Sequence, residues 1–365
     1  MTDRPMPSID VVVAIHHPGR RLDRALESLF DDAPPEVGAI VVCHGIDPGS
    51  IEAMLSGVPR ERVRVLAFTD GIRSPAGPFN AGIDASTADY VSVMGSDDFL
   101  QPGALRAWQG IAADRSPDAV IGEQQHQNGA FIASPLVRAG RAHDLDAVRD
   151  RLYYRVAPLG LLRRHYLSDN GLRLTEGAAT GEDLVMSTLL WSYGQVELAR
   201  GCPRYVIGAD AEDRTSYQPR PFGAVVDDVV GFLEEPRVAD LPAAMRRSLA
   251  IRLTRTTLLI GIRDRGAAEN WDAGQVQAAR EVIARLEEFA PGFLAPFSRA
   301  DRALLDAATR DPESAAGAGV ARDRASRVQD LMPRNPLRTF DRESTATRYV
   351  VYALDRRRAR SVGAG

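Results

Sequence analysis

The sequence contains no lysine, only two cysteines and few aromatic residues. All 45 basic residues are arginine, which indicates a GC-rich genome rather than a binding site. Cys43 and Cys202 are too few for a disulfide framework, and they do not form a CxxC metal-binding motif. A disulfide-stabilised secreted domain and a cysteine-based metal site are therefore excluded, and a reducing compartment fits best.

Long apolar runs and a strong charge of one sign are also missing. No stretch approaches the roughly 18 apolar residues that span a bilayer, and the first ten residues lack a signal peptide's apolar centre. The formal net charge is −4, which provides no field to attract nucleic acid. We therefore expect a cytoplasmic protein, active in solution or at the inner face of the membrane, with no nucleic-acid partner.

The first 220 or so of the 365 residues alternate short β-branched runs with amphipathic segments, which is typical of a parallel sheet covered by helices. Strands are predicted over residues 9–15, 37–42, 63–68 and 90–94, with a short helix over 81–88. This pattern indicates an α/β fold with a doubly wound, mostly parallel sheet. Ligands of such sheets bind beyond the carboxyl ends of the strands, so the four loops after these strands should line one crevice.

Beyond about residue 222 the β-like runs stop, and apolar residues recur at helical spacing. The segment QPRPFG marks the change, so we predict an α/β domain over residues 1–223 and a smaller α-helical domain over 224–365. The tail RYVVYALDRRRARSVGAG combines an aromatic-aliphatic strip with five arginines. It could lie on an anionic membrane surface or bind a partner subunit of a homo-oligomer, but packing on its own protein is favoured.

Two adjacent carboxylates, Asp97 and Asp98, follow the fourth predicted strand. Acidic side chains at a strand end form an oxygen-rich site that suits Mg²⁺ or Mn²⁺. The alternative is a solvated turn ahead of the next helix, because Asp and Ser are common in turns and Pro102 follows closely.

The surrounding motifs resemble glycosyltransferase family 2, whose members have the GT-A fold. The stretches VVVAIHHPGRRLDRALESL and SPAGPFNAGIDASTADYVSVMGSDDFLQPGAL are similar to the family's motifs in order and spacing, and the resemblance extends over about residues 8 to 220. It implies an inverting transfer of a sugar from a nucleoside-diphosphate sugar, with a UDP-sugar preferred. The acceptor would be a hydroxyl of a carbohydrate or polyol, for example in an envelope polysaccharide or teichoic-acid-like polymer.

The resemblance also implies roles for single residues. Asp98 matches the carboxylate that binds the metal, and Asp97 matches the one near the ribose or the metal. The cation, Mn²⁺ or Mg²⁺, would stabilise the charge that develops on the departing diphosphate. Asn80 falls on the family's asparagine, and Glu182 and Asp183 occupy a Glu-Asp pair at the start of a helix, where the Asp is the general base. A charged helix start without chemistry is the alternative for this pair.

Other positions concern the nucleotide. Ala14 and His16 lie within the tetrapeptide that follows the family's first strand. His44 stands where the family has a carboxylate that contacts the base; it could hydrogen-bond a pyrimidine or be only a loop histidine. Arg214 lies where the family places basic residues near the diphosphate, with a surface role as its alternative.

Two other functions stay open at this point. An inactive GT-A relative could serve as a binding module, which the changed His44 loop favours and the retained Asp98 and Asp183 oppose. A nucleotidyltransferase also uses acids at strand ends with Mg²⁺. It would need a glycine-rich phosphate loop after the first strand, however, and HHPGRR has one glycine.

Overall fold

The computed structural model describes residues 5–178, 180–210, 220–264, 271–315 and 325–362. The chain forms two compact units. The first combines Met1–Asp146, Arg155–Ser216 and Arg358–Gly365, and the second combines Ala147–Tyr154 with Tyr217–Arg357. The units interleave along the chain. The domain boundary predicted at residue 223 lies near one of the positions where the chain passes from one unit to the other. That this boundary also separates two functions stays a prediction.

The first unit contains two sheets. Its strands are β1 Ile9–Ile15, β2 Val37–His44, β3 Val63–Phe68, β4 Tyr90–Gly95, β5 Phe99–Leu100, β6 Ala119–Gly122, β7 Gln124–His126, β8 Phe131–Ile132, β9 Gly160–Arg163, β10 Val196–Ala199 and β11 Tyr205–Ile207. The large sheet has the order β10-β6-β9-β4-β1-β2-β3, and the small sheet the order β5-β11-β7-β8. In the large sheet only β9 runs antiparallel to its neighbours. The predicted α/β class with a mostly parallel sheet is confirmed.

Helices cover both faces of the large sheet. Those of the first unit are α1 Leu22–Phe30, α2 Ala76–Ala85, α3 Ala104–Arg115, α4 Arg164–Asp169 and α5 Leu184–Tyr193. On one face Val12 of β1 packs with residues of β2 and α2, and on the other face Val13 packs with residues of α1. Burial on both faces explains why β1 is a continuous apolar run without polar alternation. A Cβ on Gly82 of α2 would lie 2.2 Å from a Val12 methyl carbon, so this close helix–strand contact requires glycine.

The second unit is helical, as predicted. Its helices are Phe222–Glu234, Pro236–Ala239, Ala243–Leu253, Leu259–Asp264, Ala273–Phe289, Arg299–Ala308, Arg327–Leu331 and the C-terminal helix Thr345–Val362, whose end lies in the first unit. Aromatic rings fill the core: Phe222 and Trp271 have centroids 4.9 Å apart. Within the described residues, we find no helix that combines the length and the apolar character needed to cross a bilayer.

A buried ion pair attaches Ala147–Tyr154 to the rest of the second unit. The Arg151 Nε lies 3.5 Å from the Glu343 Oε1, and both side chains are almost fully buried. Arg151 also donates to the carbonyl oxygen of Arg342 at 2.5 Å. Burying two charges is costly unless they pair, so this contact fixes where the chain segment must lie.

The last residues of the C-terminal helix close onto the small sheet of the first unit. Arg358 donates to the carboxylate of Glu123, which joins β6 to β7 and is buried. The backbone N–H of Gly201 donates to the same carboxylate at 3.2 Å. Arg204, which precedes β11, donates to the carbonyl oxygen of Ala359 at 3.4 Å. The guanidinium groups of Arg204 and Arg358 also lie over the ring of Phe131 in β8, at 5.0 and 5.9 Å from its centroid.

Arg358→Ala should therefore destabilise the first unit, because it leaves the buried Glu123 carboxylate with one charged donor fewer. We expect a loss of about 1–2 kcal/mol in the free energy of unfolding, measured by urea denaturation. The matched control is Arg357→Ala, which removes an exposed arginine at the preceding position and should change stability by less than about 0.5 kcal/mol. Equal stability of both variants would show that the Glu123 contact contributes nothing.

Candidate active site

The carboxyl ends of β1 and β4 lie side by side in the middle of the large sheet. Ala14 of β1 pairs with Gly95 of β4 on one side and with Val42 of β2 on the other. From β1 the chain proceeds outward to β2 and β3 in one direction, while β4 lies in the other direction. The strand order therefore reverses between β1 and β4, which is where open α/β sheets bind their ligands.

Asp98, just beyond β4, is held at this point by two donors from distant sequence. The Tyr205 hydroxyl donates to its Oδ2 at 2.6 Å, and the Gly208 N–H donates to its Oδ1 at 2.9 Å. Burial, and then the negative charge of Asp98, raise the pKa of Tyr205 well above its usual value. The phenol therefore stays protonated near neutral pH and can donate to the carboxylate.

Gly208 must be glycine for this contact to form. A Cβ at this position would lie 1.8 Å from the carbonyl oxygen of Asp97, well inside van der Waals contact. Because the backbone of Gly208 approaches so closely, its N–H can reach Asp98. No local motif points to Tyr205 or Gly208, since each lies more than 100 residues from Asp98 in the chain.

Asp97 lies beside two arginines from the start of α1. The Arg20 Nη1 is 3.4 Å from the Asp97 Oδ2, and Arg24 donates to the Asp97 carbonyl oxygen at 2.6 Å. Arg24 also pairs with Asp210 at 2.6 Å. The acidic turn is thus lined by cationic groups that could attract a phosphate. Both arginines follow β1 closely in the sequence, so their place near the site was predictable.

His44, the last residue of β2, pairs with Asp70, a residue that was not predicted to belong to the site. Its Nε2 lies 2.7 Å from the Oδ1 of Asp70, which follows β3. A hydrogen bond from the backbone N–H of Ile72, and then the bond to His44, hold the pKa of Asp70 below its usual value. The Asp70 carboxylate can therefore fix the orientation of the imidazole ring. Asp70 follows a predicted strand, and this position is the feature of the sequence that could have identified it as a site residue.

Ala14 and His16 are the two remaining candidate nucleotide-binding residues near β1. Ala14 is half-buried in the strand, where only its backbone and a methyl group are present. His16 is exposed, and Arg20 approaches its Nε2 at 3.5 Å. A contact of Ala14 or His16 with nucleotide stays a prediction.

Asn80 is buried and anchors the loop that leads to the Glu-Asp pair. Its side-chain amide donates to the carbonyl oxygen of Leu174 at 3.0 Å and to the Glu176 carboxylate at 2.9 Å. The Leu174 N–H donates back to the Asn80 Oδ1 at 3.1 Å. These contacts describe a positioning role, and direct binding of nucleotide by Asn80 stays a prediction.

Glu182 and Asp183 come directly before α5, as predicted. The carbonyl oxygen of Glu182 accepts a hydrogen bond from the Thr175 N–H at 2.7 Å, which connects the pair to the loop held by Asn80. Asp183 is the residue that caps α5 through its backbone, and its carbonyl oxygen accepts from the Ser187 N–H. Both side chains are partly exposed. That Asp183 faces the same cavity as Asp98 stays a prediction, and Arg214 lies outside the described residues.

A divalent cation fits this site only together with a substrate. Among the described residues, no group of three or more His, Cys, Asp or Glu side chains could hold a metal ion. A carboxylate offers about four lone-pair positions, so hydrogen bonds from Tyr205 and Gly208 are compatible with a bond from Asp98 to a cation. Mg²⁺ is commonly held by one or two carboxylates together with phosphate oxygens and water. The residues present therefore fit a cation that arrives with a diphosphate.

Comparison with known sequences agrees with this geometry. Residues 10–169 match the sequence model of the family described as Glycosyl transferase family 2. The chain is 21% identical over 257 residues to the poly(ribitol-phosphate) beta-glucosyltransferase of Bacillus spizizenii, covering 68% of this chain and 40% of that protein. It is 26% identical over 196 residues to the succinoglycan biosynthesis protein ExoO of Rhizobium meliloti, covering 50% of this chain and 55% of that protein. The chain thus spans about half the length of these relatives.

Solved structures show the same fold. S. aureus TarS 1–349 in complex with UDP-GlcNAc superposes with a TM-score of 0.70 at 15% identity, covering 87% of this chain and 92% of that one. The predicted GT-A fold is confirmed. The family match contains Asn80, Asp97 and Asp98 and ends before Glu182 and Asp183. The part of the chain that matches Glycosyl transferase family 2 thus contains the acidic turn at the reversal of strand order, and the chain shares its fold with S. aureus TarS 1–349.

Proposed function

We propose that the first unit transfers a sugar from a nucleoside-diphosphate sugar to a hydroxyl group, with inversion at the anomeric carbon. The observation that carries this proposal is the fixed Asp98 carboxylate, held by Tyr205 and Gly208 where the strand order reverses. Groups that are oriented before the substrate binds do not have to reorganise during the reaction. The complex of S. aureus TarS with UDP-GlcNAc supports a UDP-sugar as the donor.

The donor would be bound mainly through its diphosphate. Asp98, with Asp97 beside it, would hold Mn²⁺ or Mg²⁺, and the cation would stabilise the negative charge that grows on the leaving nucleoside diphosphate. Arg20 and Arg24 lie against Asp97, and they add positive charge to the same edge of the sheet. His44, oriented by Asp70, is the candidate for contact with the base.

Asp183 would act as the general base. An alcohol is too weak an acid to ionise near pH 7, so a carboxylate must accept its proton as the oxygen attacks the anomeric carbon. The hydrogen bonds from Asn80 to the loop at Leu174, and from Thr175 to Glu182, hold the backbone that carries Asp183. In this account Asn80 is a positioning residue for the base.

For the acceptor we infer a hydroxyl of a cell-envelope polymer, with a polyol-phosphate chain preferred. The named activity of the Bacillus spizizenii relative, on poly(ribitol-phosphate), supports a polyol, whereas ExoO supports a polysaccharide. Because the donor is a nucleotide sugar, we place the reaction in the cytoplasm. The inactive binding module differs from this proposal in one measurable way, since it would bind a nucleotide sugar without consuming it.

Asp98→Asn should abolish turnover and leave the fold intact, because it removes a charged ligand from a partly exposed position. Tyr205→Phe should weaken donor binding by about 3- to 10-fold, since it removes one hydrogen bond worth about 1 kcal/mol. Release of UDP from UDP-GlcNAc in the presence of Mn²⁺ measures the first effect, and a donor titration measures the second. Asp114→Asn on the exposed side of α3 is the control. Wild-type turnover in Asp98→Asn would remove the proposed metal-binding role.

Asp183→Asn keeps the shape of the side chain and removes its basicity. We expect kcat to fall by about 100-fold or more, with little change in donor affinity, since the diphosphate is held elsewhere. Glu182→Gln, at the neighbouring position, should reduce kcat much less. Steady-state kinetics and donor titrations separate the two quantities. If Asp183→Asn instead weakens donor binding while kcat is kept, Asp183 is not the base.

A further inference from the structure

Exposed apolar side chains are concentrated near the end of the second unit. Among the described residues, eleven large apolar side chains are exposed, and seven of them lie between Val328 and Leu354. Phe340 is 88% exposed and Leu337 is 81% exposed. A single exposed apolar residue needs no explanation, but a concentration of this kind indicates an interaction surface.

This surface has a defined local structure. The turn Pro336–Phe340 is held to the start of the C-terminal helix, because the hydroxyl groups of Ser344 and Thr347 both donate to the carbonyl oxygen of Thr339, at 2.6 and 3.2 Å. On the helix, Tyr349, Tyr352 and Arg356 are spaced by three and four residues and form one exposed stripe, and Val350, Leu354 and Arg357 form a second exposed stripe. We call the exposed large apolar residues of this turn, together with the two stripes, the basic-apolar face: Leu337, Phe340, Tyr349, Val350, Tyr352, Leu354, Arg356 and Arg357.

The opposite side of the helix packs on its own unit. Arg348 lies 3.9 Å from the centre of the Tyr154 ring, and its side chain is mostly buried. The short aromatic-aliphatic strip of the tail predicts a helix packed on its own protein. That expectation is wrong for Tyr349, Val350 and Leu354, which point away from the core and are each more than half exposed.

Positive charge is concentrated in the same part of the chain. Residues 334–360 contain eight arginines and three acidic residues, a net charge of +5, whereas the whole chain has −4; the remaining residues therefore carry −9. Arg356 and Arg357 are exposed, and the Arg356 guanidinium lies 5.6 Å from the Tyr352 ring centroid. The positive charge and the exposed apolar groups thus lie on the same turn and the helix that follows it.

We propose that the basic-apolar face docks on an anionic lipid bilayer surface. Tyrosine rings are favoured at the level of lipid headgroups, the arginine stems can extend past apolar groups to the phosphates, and each arginine near an anionic surface contributes about 1 kcal/mol. A polar polyol-phosphate chain would pair with the arginines but leave Phe340 and Leu337 in water. A second copy of the chain that paired through this same face would bring two positive surfaces together, which is unfavourable.

The test is flotation of the full chain with two kinds of vesicle, pure phosphatidylcholine and phosphatidylcholine with about 30% phosphatidylglycerol. We expect binding to the anionic vesicles only, weakened by at least about 5-fold in 0.5 M NaCl because exposed charges are screened. Leu337→Ser with Phe340→Ser should lower the bound fraction by at least about 5-fold, and so should Arg356→Gln with Arg357→Gln. The controls are Tyr193→Ser and Arg106→Gln, exposed residues of the first unit, which should bind as the wild type does.

Light scattering on the same proteins tests self-association, and circular dichroism confirms that each variant is folded. The proposal requires the same molar mass for the wild type and for Leu337→Ser with Phe340→Ser. Three results would overturn it: no binding to anionic vesicles, binding that neither double variant reduces, or a wild-type oligomer that these two serines dissociate. Donor turnover is a separate measurement, so failure of membrane docking leaves the proposed transfer reaction standing.

Discussion

The hydrogen bonds to Asp98 join the two sheets of the first unit. Asp98 follows β4 of the large sheet, while Tyr205 belongs to β11 of the small sheet, and their bond of 2.6 Å crosses 107 positions of sequence. The orientation of the carboxylate therefore depends on where the small sheet lies. That sheet is in turn held by the buried Glu123 with Arg204 and Arg358, so the end of the C-terminal helix supports the acidic turn from a distance.

Much of the large sheet could be predicted from sequence because its central strands are buried on both faces. The predicted bounds of β1 agree with the structure, since a continuous apolar run marks such a strand clearly. The bounds of β3 agree as well, although β3 is an edge strand with two exposed residues. The helix α2 begins at Ala76 instead of residue 81, because Gly77 and Pro78 weaken the helical pattern although proline is tolerated in a first turn. The small sheet was missed altogether, since its strands have two or three residues and show no periodicity.

The residues of the candidate site were likewise only partly predictable from sequence. Asp97, Asp98, Glu182 and Asp183 could be named because they stand in local motifs. Their supporting partners could not, because Tyr205 and Gly208 reach Asp98 only through the folded arrangement of the two sheets. Asp70 is an intermediate case: its place after β3 was predictable, and its pairing with His44 was not. The exposure of Tyr349 and Leu354 also follows from tertiary packing, to which helical periodicity alone is insensitive.

In the proposed reaction, a nucleoside-diphosphate sugar binds at the acidic turn together with a cation. Titration calorimetry of the wild-type chain with UDP-GlcNAc, in Mn²⁺ and again in EDTA, tests this directly. We expect binding in Mn²⁺ and at least about 10-fold weaker binding in EDTA, a difference of about 1.4 kcal/mol or more in binding free energy. Equal affinity under both conditions would contradict it, because the diphosphate would then be held by the protein's own groups and not through a cation at Asp98.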